Sequence, residues 1–191
     1  MARDRHRNLI STGGKASVTV NGDRPLLERL HTSVQGDPFW ESYMSARDSQ
    51  PTPFTLHLAV FVEPYLQFVL DGRKTVESRF SVNRCAPYRQ VQRGDVLVLK
   101  RSGGPIVGIC RVAHAWFYQL DPDSWDTIRQ EFTLALCAQD PQFWQDRARA
   151  AFATLMRIDQ VRAIAPIPFA KRDRRGWVVV QTPQIQLELQ L

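Results

Sequence analysis

Apolar residues recur at helical spacing in "RPLLERLHTSVQ" (24–35), where Leu26, Leu27, Leu30 and Val34 share one face. "DPFWESYMSA" (37–46) places Asp37 as N-cap before Pro38, which predicts a second helix. A polar, proline-bearing stretch, "RDSQPTP" (47–53), separates these helices from a different pattern. "FTLHLAVF" (54–61) is nearly continuous in apolar character and reads as a buried strand. "EPYLQFVLDG" then reads as a short helix with Pro64 at its first turn and Gly72 just beyond its end. "KTVESRFSV" alternates, with Val76, Phe80 and Val82 on one face and Thr75, Glu77, Arg79 and Ser81 on the other.

Further on, Val96–Leu99 and Ile106–Phe117 read as strands joined by a glycine turn at Ser102, Gly103 and Gly104. Two helices are expected to start at Asp121-Pro122 and Asp140-Pro141. The first carries Trp125, Ile128, Phe132 and Leu136; the second carries Trp144, Ala148, Ala151, Phe152 and Leu155. "IDQVRAIAPIPF" and "GWVVVQT" read as the last core strands, and "QIQLELQL" alternates as an edge strand does. The sum is an α+β chain of about six strands, without the βαβ alternation of a Rossmann or TIM fold. Short strands with glycine turns predict a small β-barrel surrounded by helices. The proline-bearing stretch divides the chain into an N-terminal tail and helical extension, residues 1–50, and a main domain, residues 51–191.

Composition changes little: 43% hydrophobic and 23% charged residues are ordinary globular values. Charge changes more. Residues 71–111 carry nine Lys/Arg against three acids, +6, which equals the net charge of the whole chain. Such clustering favours an anionic partner, and nucleic acid is the commonest. Cys85, Cys110 and Cys137 are few and far apart, which predicts a reducing, cytoplasmic setting rather than a disulfide framework. Neither they nor His6, His31, His57 and His114 show metal-ligand spacing, so no metal and no cofactor are expected. No apolar run is long enough for a membrane span, and no secretory signal is evident.

The basic segment begins at "GRKTVESR" (72–79). Strand parity puts Glu77 and Arg79 together, facing a cleft or solvent. Lys74 joins them only if the strand begins after it, a break that Gly72 allows. A lysine beside an acid and a guanidinium suits phosphate or a base edge, or proton transfer. The plainer reading is an exposed strand with surface salt bridges of little worth.

"LDGRKTVESR" resembles the G-x-K-x-x-E-x-R signature of ASCH domains, members of the PUA-like superfamily, with Gly72, Lys74, Glu77 and Arg79 on its defined positions. "CAPYRQVQRGDVLVLKRSGGPIVGICRV" and "KRDRRGWVVV" resemble later segments of that family in the same order. The resemblance implies a PUA-like β-barrel, a basic cleft lined by the signature, and RNA or nucleotide as partner. Some small members are amidohydrolases that cleave acetylcytidine with a lysine, a threonine and a glutamate. Three positions after the lysine they carry threonine, where this chain has Glu77; here Thr75 is adjacent to Lys74. Others are reported as ribonucleases.

Further cleft candidates come from residue chemistry. Lys171 and Arg172 form a basic turn beside Trp177, and Arg84, Tyr88 and Arg89 lie in a loop-like stretch; cations next to aromatics suit phosphate contact with base stacking. Ser102 reads mainly as a turn residue, His114 as a core histidine and Cys85 as a nucleophile without an evident base. The leading expectation is RNA or nucleotide binding at a cleft of Lys74, Glu77 and Arg79, extended by Arg84, Tyr88, Arg89, Lys171, Arg172 and Trp177. The alternative is a hydrolase of a modified nucleoside or RNA at the same cleft, with Lys74 and Glu77, and Thr75 if needed, as catalytic groups. Residues 1–50 are a candidate adaptor for a protein partner.

Overall fold

The computed structural model describes residues 23–46, 54–170 and 174–181. Two N-terminal helices, α1 (Asp23–Ser33) and α2 (Pro38–Ser45), precede strand β1 (Leu56–Phe61), helix α3 (Tyr65–Leu70) and strands β2 (Val76–Ser81), β3 (Val96–Arg101) and β4 (Ile106–Gln119). Helices α4 (Pro122–Leu136) and α5 (Pro141–Gln145) lead to β5 (Phe152–Ile167) and β6 (Trp177–Gln181). The six strands form one mixed sheet in the order β2-β5-β4-β3-β1-β6, in which only β1 and β3 run parallel. The sheet is curled into a half-barrel flanked by helices, the α+β, PUA-like architecture expected from the sequence.

The long central strands β4 and β5 make the curl. Their pairing shifts register three times between Ile106 and His114, and each irregularity adds local bend and twist. Gly108 allows a close approach there: a Cβ on it would lie 2.9 Å from Leu70 and 3.0 Å from the Arg162 carbonyl.

Three apolar clusters hold the layers together. On the convex face, Leu30, Val34, Trp40 and Met44 of the N-terminal helices pack with Leu56, Leu58, Val96 and Ile164. The Trp40 indole donates to the Gln160 carbonyl at 3.0 Å and the Tyr43 hydroxyl to the Gly94 carbonyl at 2.6 Å. Helices α1 and α2 therefore share a core with the sheet. A second cluster fills the concave side with Phe61, Leu97, Leu99, Cys110, Val112, Met156 and Trp177. A third lies between β2, β5 and helices α4 and α5.

Most predicted elements are present, and Asp37, Asp121 and Asp140 cap their helices as expected. One differs. The helix expected from Asp140 to Leu155 stops at Gln145, and Phe152 onward is strand β5. Alanines at 148, 150 and 151 favour a helix locally, but β5 must pair with both β2 and β4, and that burial decides the outcome. The expected strand at 184–191 lies outside the described residues.

Candidate functional site: a basic rim on a buried polar chain

Gly72, at φ +72°, ends α3 in the left-handed conformation that glycine adopts without a Cβ penalty. The Lys74 N–H then donates to the Phe68 carbonyl at 2.9 Å, which pins Lys74 against the helix end, and β2 starts only at Val76. This break frees Lys74 from strand parity and turns its side chain inward.

The three charged groups of the signature converge. The Lys74 ammonium donates to the carbonyls of Val76 (2.8 Å) and Leu136 (3.2 Å) and lies 3.5 Å from a Glu77 oxygen. The other Glu77 oxygen lies 2.9 Å from Arg79 Nε, an ion pair too bent to be a directed hydrogen bond. Lys74 and Glu77 are only 2% and 4% exposed. The face expected to meet a cleft or solvent is thus interior at Glu77, because the curl of the sheet encloses it. Burial holds the Lys74 ammonium below the ordinary lysine range, opposed by the Glu77 charge.

Arg79 is the member that reaches the surface. Its guanidinium donates to the carbonyls of Val60 (3.0 Å) in β1 and Gly176 (3.2 Å) just before β6. It thereby ties β2 to the opposite margin of the sheet. It lies against two rings, 5.1 Å from Phe61 and 5.3 Å from Trp177. Trp177 itself is buried, and its indole donates to His57 Nδ1 at 3.2 Å. His57 in turn meets Asp95 at 3.0 Å, and Asp95 also accepts from the Thr55 and Gln92 N–H groups, each at 2.8 Å. Lys74, Glu77 and Arg79 form one polar group and Trp177, His57 and Asp95 another, and the two meet where Arg79 lies over the Trp177 ring.

Beside Arg79, the surface opens into a depression of 340 Å³ lined by Ser78, Arg79, Phe80, Asp146 and Arg147. That volume is at the small end of ligand sites, which start near about 300 Å³. Arg147 stacks 3.7 Å from the Phe143 ring and also faces Phe80. One row further along the concave face, Ser81, Phe152 and Gln119 pair across β2, β5 and β4 at the rim. Here exposed Arg84 lies 5.2 Å from the Phe152 ring and donates to Gln119 at 3.3 Å. Tyr88 is buried with its ring against Phe117 and Phe152, so it anchors the loop, and exposed Arg89 lies 5.6 Å from its ring.

The structure therefore brings together Lys74, Glu77, Arg79 and Trp177, and beside them Arg84, Tyr88 and Arg89. Thr75 is exposed; its N–H donates to the Ala135 carbonyl near the end of α4, and its carbonyl accepts from the Ile158 N–H of β5. Lys171 and Arg172 lie outside the described residues. Cys85 and Ser102 are exposed, as is His114, expected to be a core residue. The sequence reading missed Arg147 and Phe152, which it placed on a helix, and the pairing of His57 with Asp95. A histidine in an apolar strand and a Gly-Asp turn were the available signals.

No family model and no curated protein matches the chain. Among solved structures it is similar to an ASCH protein from Zymomonas mobilis, at 14% identity over 59% of this chain and 73% of that one, with a TM-score of 0.49. It is also similar to an ASCH domain from Lactobacillus crispatus, at 13% identity over 75% of this chain and 96% of that one, with a TM-score of 0.44. At this identity and overlap the likeness concerns the outline of the fold alone. No helix among the described residues is long and apolar enough to cross a membrane.

Proposed function

We propose that the basic rim binds single-stranded RNA or a nucleotide through its phosphates. The observation that carries this reading is that Arg79 and Arg147 open on one depression, while Arg84 and Arg89 continue the positive charge along the adjoining rim. Guanidinium groups fork onto phosphate oxygens, and those held on aromatic rings sit in set orientations. The ASCH-like signature and the charge clustered in residues 71–111 point to the same class of partner. Lys171 and Arg172 extend the set in this proposal. Lys74 and Glu77 serve it from inside, by fixing Arg79. Titration with a labelled oligouridylate at several salt concentrations tests the reading; binding insensitive to salt, or absent, refutes it.

The hydrolase reading has one observation in its favour, the lowered basicity of Lys74 beside Glu77. Against it, the ammonium is enclosed and its protons face two carbonyls and a carboxylate. Binding is therefore the preferred reading. Incubation with acetylated nucleosides and with RNA, followed by chromatography, separates the two. Work in the cytoplasm and a protein partner for residues 1–50 belong to the same proposal. Of that segment, α1 and α2 commit their apolar faces to the sheet.

A further inference from the structure

His57 is fully buried, and both of its ring nitrogens are engaged. An indole N–H only donates, so the 3.2 Å contact from Trp177 leaves His57 Nδ1 without a proton. The imidazole proton then sits on Nε2 and is donated to Asp95 at 3.0 Å. His57 is held in one tautomer by its two partners.

This pair reaches the rim through one residue. The Trp177 ring lies 5.3 Å from the Arg79 guanidinium, and the carbonyl that Arg79 binds belongs to Gly176, the residue before Trp177. The same carbonyl accepts from the Val60 N–H at 2.9 Å. A shift of Trp177 therefore disturbs both the ring under Arg79 and the backbone in front of it.

We propose that His57 and Asp95 are positioning residues for the anion-binding rim. His57 holds Trp177, and Trp177 and Gly176 hold Arg79. The inference rests on the reading that Arg79 contacts the ligand. Asp95, in the turn before β3, takes the Nε2 proton, and on the β6 side Trp177 Nε1–H occupies Nδ1. Behind Trp177 stand Arg79 and, beyond it, Glu77, both on β2. Loss of the His57 contact leaves the Trp177 ring free to shift under Arg79.

The test uses the full chain, labelled with ¹⁵N. The His57 signals should report the Nε2–H tautomer. Trp177→Phe keeps an aromatic ring and removes the donor; His57→Phe keeps a ring and removes the acceptor. With circular dichroism confirming that each variant is folded, the Arg79 Nε–H resonance should move in both, and affinity for a rhodamine-labelled oligouridylate should fall roughly tenfold in each, the worth of one hydrogen bond. The double variant should lose no more than either single one. The proposal is overturned if His57 holds the other tautomer, if Arg79 stays still in both variants, or if the two losses add. An Arg79 signal that moves in a protein that binds no oligouridylate would support the coupling and refute the RNA reading.

Discussion

The guanidinium of Arg79 crosses from β2 to the carbonyl of Gly176, 3.2 Å away at the opposite margin of the sheet. With its second bond to the Val60 carbonyl and its ion pair to Glu77, it links the two ends of the half-barrel. The same residue lines the depression at the surface.

Arg79→Met should therefore destabilise the protein by about 3 kcal/mol, because it removes one of the two cations beside buried Glu77 and leaves the Val60 and Gly176 carbonyls without this donor. Arg79→Lys should recover less than half, since a point charge cannot fork to Val60 and Gly176 together. Urea denaturation measures both. Wild-type stability in Arg79→Met would show that the closing contact carries no weight.

Lys74→Met should also cost about 3 kcal/mol, as it removes one of the two cations paired with Glu77 and the donor to Val76 and Leu136. The pH dependence has a definite sign. Burial lowers the folded-state pKa of Lys74, so the native chain gives up this proton before the unfolded chain does. Stability from this group then rises with pH between its folded pKa and the unfolded value of about 10.5. The stability gap between wild type and Lys74→Met should widen on going from pH 7 to pH 10. A gap that narrows would contradict the assignment.

Two glycines should separate conformational from steric cost. Gly72→Ala meets no neighbour within 4 Å but must hold φ +72°, so it should lose about 1 kcal/mol. Gly108→Ala has an ordinary φ but pushes against Leu70, Leu99 and the Arg162 carbonyl, so it should lose about 2 kcal/mol. Equal losses in denaturant melts would argue against this distinction.

Much of the site was legible in the residues themselves. Alternation in "KTVESRFSV" put Glu77 and Arg79 on one face, and Gly72 allowed the break that lets Lys74 join them. Their depth was not legible, because alternation says which face a side chain takes but not whether the sheet curls over that face. The curl comes from register shifts between β4 and β5, pairings between residues more than forty positions apart. The same long-range pairing made a strand of Phe152–Leu155 against its local helical pattern. With those residues placed on a helix, Arg147 and Phe152 could not be assigned to the rim. His57 and Asp95 meet only because β1 and β3 run parallel after a crossover through α3 and β2.

The central claim is that Arg84, Arg89 and Arg147 meet phosphates. Its most direct test is the salt dependence of oligouridylate affinity in wild type and in the triple Arg84→Gln, Arg89→Gln, Arg147→Gln variant, which leaves the Arg79 contacts with Val60 and Gly176 in place. Each lost contact on a single strand should lower the slope of log K against log salt by about 0.7, so the triple variant should lose about 2 and bind much more weakly at low salt. Unchanged slope and affinity in a folded triple variant would contradict the account.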